Sequence, residues 1–216
     1  MITEYNENSL YERFSALSEC KNDIDSFISM MLETYKSGGK ILLCGNGGSC
    51  ADCDHIVGEL MKSFMYERKP DAEFCEKLKN HFHEEADKVS GCLQTGIPAI
   101  SLPSQTAVLS AYLNDVEPEY VYAQLVYGYA KKNDMLIALS TSGNSKNVVN
   151  AVKVAKAVGI KTAAITGANE SKLSQLCDTC VRVPETETYK IQELTLPVYH
   201  HLCACLEKIL FGGNEK

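Results

Sequence analysis

The stretch Lys40-Ile41-Leu42-Leu43-Cys44-Gly45-Asn46-Gly47-Gly48-Ser49 admits few folds. Its apolar start suits a strand. Its glycines suit a tight turn, and from about Ala51 to Tyr66 the apolar residues Ile56, Leu60 and Phe64 recur at helical spacing. A strand running through a glycine turn into a helix leaves backbone N–H groups unpaired at a helix start. That end also carries partial positive charge, so it can seat a phosphate. Glycine lets the backbone take positive φ and lets an anion come close. The spacing matches neither G-x-G-x-x-G nor G-x-x-x-x-G-K-[ST], so a dinucleotide or a nucleoside triphosphate is not the expected guest. Taken alone, the loop also fits a tight turn with no ligand.

The rest of the chain repeats the strand-then-helix pattern. A helical segment from about Ser9 to Tyr35 carries Leu10, Phe14, Leu17, Ile24, Phe27, Ile28, Met31, Leu32 and Tyr35, and Ser37-Gly38-Gly39 ends it. Further strands are expected at Pro98–Leu102, Met135–Leu139, Lys161–Ile165 and Cys180–Val183. Pro103-Ser104-Gln105-Thr106 opens a helix or a loop. Helices are expected at Pro118–Lys131, at Asn147–Val158 and from about Thr188 to Phe211, the last interrupted at Pro197. The continuous apolar run Met135–Leu139 marks a central strand covered on both faces. This alternation predicts an α/β fold: a three-layer sandwich with a central, mainly parallel sheet and an N-terminal helical extension over residues 1–38. Ligands of such sheets bind at the carboxyl ends of the strands. The loops 45–49 and 140–145 both fall there.

Residues 67–95 are charged and poorly periodic and are expected to be a solvent-exposed helical insertion in one domain spanning 1–216. His81 and His83, two apart, do not share a helix face and are expected at the surface. A length of 216 residues with 45% hydrophobic and 23% charged residues suits one globular unit with a real core. A net charge of -7 argues against a general nucleic-acid surface. The acidic, polar start Met1–Glu7 is unlike a signal peptide, and no apolar run approaches the roughly 20 residues that span a bilayer. A cytoplasmic protein is expected. The ten cysteines, including the pairs Cys50/Cys53 and Cys177/Cys180, read best as reduced, mostly buried thiols rather than disulfides or a four-ligand zinc site.

Ser140-Thr141-Ser142-Gly143-Asn144-Ser145 supplies a dense set of hydroxyls at a second helix start. Capping by Ser142 or Asn144 needs fewer, so a phosphate monoester held without lysine is the expectation. His55 and Glu59, at i and i+4, share one helix face. Spacing alone leaves a metal pair, a base with its partner or a surface ion pair, and favours the last.

Gly45-Asn46-Gly47-Gly48-Ser49, the serine loop 140–145 and Ile191-Gln192-Glu193-Leu194 together resemble the sugar isomerase (SIS) fold family, and within it the phosphoheptose isomerase group. The resemblance covers most of the chain outside about 67–95. It implies a Rossmann-like sheet and an aldose–ketose isomerase that works on a phosphorylated sugar, sedoheptulose 7-phosphate, through an enediol. It implies zinc held by His55, Glu59, Gln192 and His200, with Glu59 as base and His200 as acid. Ser49, Ser140, Thr141, Ser142 and Ser145 would hold the phosphate with backbone N–H groups of Gly47 and Gly48, and Asn46 and Gln192 would meet the substrate. His201, one residue out of register, is expected to be structural. The family also implies a homotetramer with sites at subunit interfaces. The chain departs from the family where Gln105-Thr106-Ala107 replaces D-T-S, and where Glu187-Thr188-Tyr189-Lys190 replaces T-x-R. The same fold serves non-catalytic sugar-phosphate sensors, regulators of replication initiation, and amino-sugar lyases or etherases, so these remain alternatives.

Overall fold

The computed structural model describes residues 5–213, so Met1–Glu4 of the polar start lie outside the described residues. In chain order the elements are α1 (Ser9–Arg13), α2 (Lys21–Lys36), β1 (Ile41–Gly45), α3 (Gly48–Met61), α4 (Ala72–Phe82), α5 (Ala86–Cys92) and β2 (Ala99–Ser101). Then follow α6 (Thr106–Asp115), α7 (Val121–Tyr129), β3 (Met135–Leu139), α8 (Lys146–Ala157), β4 (Lys161–Thr166), α9 (Lys172–Leu176), β5 (Thr179–Arg182) and α10 (Thr188–Phe211).

The sheet is five-stranded in the order β2-β1-β3-β4-β5, and every pairing is parallel. Every residue of β1 and β3 is buried, as their unbroken apolar runs require of strands covered on both faces. Successive side chains of a strand point to opposite faces, and the two cores divide accordingly. Ile41, Leu43 and Ile137 meet Phe27, Met31, Leu60 and Leu202 from α2, α3 and α10. Leu42, Leu136 and Ala138 meet Val126, Val148 and Val152 from α7 and α8. The three-layer sandwich follows from this alternation.

The chain leaves β1 toward β2 on one side and returns to lay β3 on the other. The order therefore reverses between β1 and β3, and ligand crevices form at such a reversal. The glycine loop after β1 and the serine loop after β3 flank it.

Several boundaries differ from the sequence reading. Helix α3 begins at Gly48, before Ala51, and ends at Met61 rather than Tyr66, because Lys62 is extended at φ −133°. Helix α10 runs unbroken through Pro197, so the expected interruption is absent. Glu193, whose carbonyl loses its helical partner there, is exposed, and water can replace the missing bond. Helix α6 has no buried residue and so carried no periodic signal. Helix α9 was not anticipated; a reciprocal cap between Ser171 and Ser174 starts it. In the insertion, α4 and α5 pack on one another, α4 buries nothing, and His81 and His83 are exposed. All ten cysteines are free thiols, five of them buried. Among the described residues no helix is long and apolar enough to cross a membrane.

Candidate functional site

The glycine loop turns where Gly47 takes φ +57°, a conformation that any side chain would strain. Ser49 N–H then returns to Asn46 O at 3.1 Å and Cys50 N–H to Gly47 O at 3.1 Å, which starts α3. A Cβ on Gly48 would overlap the side-chain amide of Gln192, so the glycine lets that amide of α10 lie against the loop. Ser49 is buried.

The serine loop lies across the crevice. Ser145 is the N-cap of α8, yet its hydroxyl makes no cap and instead lies 3.1 Å from Ser140 Oγ. Neither Ser142 nor Asn144 is the N-cap; Ser142 Oγ accepts from Asn144 N–H at 3.2 Å. The amides of Asn46 and Asn147 exchange two hydrogen bonds of 2.9 Å, which ties the two loops together. The result is a cradle of hydroxyls and helix-start N–H groups without lysine, a donor set suited to an oxyanion.

Beyond the cradle, α3 and α10 bring donors together. His55 Nε2 lies 3.2 Å from Glu59 Oε1 and 3.5 Å from His200 Nε2. One ligand atom from each of His55, Glu59 and His200 lies within 4.8 Å of the others, and this is the one such cluster among the described residues. Glu59 Oε2 is buried with no hydrogen-bond partner among the described residues, a cost that a bound cation or substrate relieves. Two imidazoles and a carboxylate are donors that zinc accepts, so the residues fit the group. Burial, and then the neighbouring His55, hold the His200 pKa below the ordinary histidine range, while Glu59 pulls the other way. A neutral His200 offers the lone pair that a ligand needs. A cavity of about 200 Å³ opens beside His200, lined also by Tyr5, Arg13, Phe14 and Phe64.

The last turn of α3 is held from behind. Arg68, fully buried, donates to Glu59 O at 3.1 Å, to Leu60 O at 2.6 Å and to Glu207 Oε1 at 2.7 Å. Glu207, equally buried, also accepts from Phe64 N–H at 2.9 Å and Met65 N–H at 2.6 Å. This pair ends α3 and fixes its last turn to α10. A second support lies on the other side of His55: Tyr199 Oη is 2.9 Å from His55 Nδ1 and 3.4 Å from Asp52 Oδ1. Burial raises the pKa of Asp52, opposed by the Tyr199 hydrogen bond and by His55.

Of the residues named from sequence, His55, Glu59 and His200 converge on one cluster, and Asn46, Gly47, Gly48, Ser49, Ser140, Thr141, Ser142 and Ser145 belong to the two loops at the crevice. Gln192 lies against Gly48, at the glycine loop. His201 faces away, buried under Tyr5, whose hydroxyl is 2.8 Å from its Nδ1. Gln105 Oε1 accepts from Tyr129 Oη at 3.0 Å, so its acceptor is already engaged. Sequence reasoning missed Asn147, Asp52, Tyr199, Arg68 and Glu207. The i, i+3 spacing of Asp52 and His55 and the adjacency of Tyr199 to His200 were the signals for two of them; the Arg68–Glu207 pair spans too much chain to leave one.

Comparison with known proteins identifies the family. A SIS-domain family model matches residues 101–205, and a second SIS-domain model matches residues 4–89. The chain is 34% identical over 191 residues to a phosphoheptose isomerase of Aneurinibacillus thermoaerophilus, covering 88% of this chain and 83% of that one. It is 38% identical over 179 residues to a phosphoheptose isomerase of Aliarcobacter butzleri, covering 83% and 81%. The structure of phosphoheptose isomerase from Neisseria gonorrhoeae superposes with a TM-score of 0.69 at 29% identity, covering 90% of this chain and 93% of that chain.

Proposed function

Because the chain belongs to the SIS-domain phosphoheptose isomerases, we propose that it interconverts a ketose phosphate and an aldose phosphate, with sedoheptulose 7-phosphate as the ketose. One observation carries this reading: α3 and α10 bring His55, Glu59 and His200 together beside the two loops of the crevice. A binding module needs the cradle but not that cluster. The chain acts as one SIS domain, with 67–95 inserted.

Ser49, Ser140, Thr141, Ser142 and Ser145, with the N–H groups of Gly47 and Gly48, hold the phosphate. Asn46 reaches sugar hydroxyls, and Gln192 orients the reacting end from its place against Gly48. Glu59 removes the proton from the carbon next to the carbonyl while His200 delivers a proton to the carbonyl oxygen, which forms the enediol. Glu59 then returns a proton to the former carbonyl carbon as the neighbouring hydroxyl gives its own to His200, and the aldose results with both groups restored. His55, Glu59, His200 and Gln192 would hold zinc, which when bound supplies a Lewis acid beside the sugar oxygens. The buried, unpaired Glu59 Oε2 supports both uses of that carboxylate.

The protein is cytoplasmic in this reading, as ten free thiols favour. It is also a homotetramer with sites at subunit interfaces. The exposed Val108, Leu113, Val116, Tyr120 and Tyr127 support such an assembly, and light scattering after size exclusion tests it.

The test of the function is solvent deuterium exchange into sedoheptulose 7-phosphate. Incorporation next to the carbonyl, with aldose formed, is the expected result. Thermal stabilisation by the sugar phosphate without exchange overturns the isomerase reading in favour of a sensor.

A further inference from the structure

The two ring nitrogens of His55 face different partners, and only one of them belongs to the donor cluster. Nε2 looks toward Glu59 Oε1 at 3.2 Å and His200 Nε2 at 3.5 Å. Nδ1 looks toward Tyr199 Oη at 2.9 Å, and that hydroxyl is 3.4 Å from Asp52 Oδ1. Tyr199 is buried, with its ring edge-on to His55 and His200 at centroid distances of 5.4 and 5.0 Å. Consecutive residues of α10 therefore treat His55 from two sides: His200 meets Nε2, and Tyr199 meets Nδ1.

A phenol has one proton to give, and a neutral imidazole has one N–H. If the Tyr199 proton goes to His55 Nδ1, the imidazole carries its own proton on Nε2 and spends it on Glu59. No lone pair then faces the cluster from His55. If the Tyr199 proton goes to Asp52, Oη accepts from Nδ1–H, and Nε2 presents a lone pair toward Glu59 and His200. The facing acceptors then repel one another unless a cation lies among them. Asp52 is the group that makes the second arrangement available.

We propose that Tyr199 is a positioning residue for the cation site: with its proton held by Asp52, its hydroxyl fixes His55 as the Nδ1–H tautomer and so presents Nε2 to zinc. This rests on the metal reading above and deepens it. Groups behind a metal-bound histidine are worth about 10- to 100-fold in metal affinity.

The experiment measures zinc affinity by chelator competition at neutral pH for the wild type, Tyr199→Phe and Asp52→Asn, alongside the melting temperatures of the metal-free forms. The phenylalanine keeps the ring packing and removes the hydroxyl, so a loss of roughly 10- to 100-fold in affinity is expected. Asp52→Asn keeps an acceptor oxygen without its charge, so a smaller loss in the same direction is expected. It also keeps the test open if Tyr199→Phe does not fold. Nitrogen-15 histidine spectra of the zinc-loaded wild type are expected to show His55 protonated at Nδ1 and bound through Nε2. Unchanged zinc affinity in both variants, whatever their melting temperatures, overturns the proposal. Coordination of zinc through His55 Nδ1 does the same. A wild type that binds no zinc overturns the metal reading and this proposal with it, an outcome recognisable from the wild type alone.

Discussion

The hydroxyl cradle and the donor cluster sit side by side at the carboxyl ends of β1 and β3, but they are built in opposite ways. The cradle is made of loops: hydroxyls, glycines and helix starts, each element continuous in the chain, joined across the crevice by the Asn46–Asn147 amide pair. The cluster is made of helices, with His55 and Glu59 on α3 and His200 on α10, and charged groups taken wholly out of water support it from behind. The cluster stands on a buried ion pair that is costly to break by removing one partner. The two regions therefore depend on different kinds of interaction.

The largest effect should come from the chemistry itself. Glu59→Gln is expected to lower the isomerisation rate by about 10²- to 10⁴-fold, the range general-base catalysis contributes, and to leave sugar-phosphate binding by calorimetry nearly intact. Equal loss of binding would erase the division between the two regions. Next in size, Arg68→Ala strands Glu207 in a fully buried setting and is expected to cost about 3–5 kcal/mol in urea unfolding. An Arg68→Met, Glu207→Leu double variant should recover much of that stability, because removing both charges removes the desolvation penalty.

On the cradle side, Ser145→Ala removes a hydroxyl that does not cap its helix. It is expected to raise KM by about 10-fold or more, in line with roughly 1.5–3 kcal/mol for a hydrogen bond to a charged group, with the melting temperature almost unchanged. A large drop in melting temperature would mean that the hydroxyl serves the fold after all.

The smallest effect is acid sensitivity, and it belongs to the two adjacent histidines of α10, since the cradle loops hold no titrating side chain. Burial holds His200 and His201 below the ordinary histidine value of about 6.5, so the folded chain binds fewer protons than the unfolded one in the window just beneath it. Stability should therefore rise with pH up to about 6.5 and fall on acidification through that window. His201→Gln, on the side away from the cluster, should flatten the acid limb of a plot of melting temperature against pH. An unchanged limb would assign the sensitivity to His200.

How much of this was legible in the sequence follows the same division. The strands at 41–45 and 135–139 and the two loops were legible because periodicity, glycine and hydroxyl content are local. Helix α6 was ambiguous because no residue on it is buried, and the continuity of α10 was hidden because Pro197 is a breaker only where its missing bond cannot be replaced. The resemblance to a known family named His55, Glu59, Gln192 and His200; their spacing alone favoured a surface ion pair for the first two. Nothing in the sequence pointed to Arg68 with Glu207, residues 139 apart that share one dry site.

The sequence by itself determined the alternation that makes a parallel sheet and the positions of the glycine and serine turns. Those depend on neighbours within a few residues, where chain connectivity guarantees the contact. Only the tertiary structure decided that His201 is packed under Tyr5, and that a tyrosine hydroxyl stands behind His55. Both outcomes depend on the angle at which α10 crosses α3, and that angle is set by the packing of both helices on the sheet, which no local stretch of sequence contains.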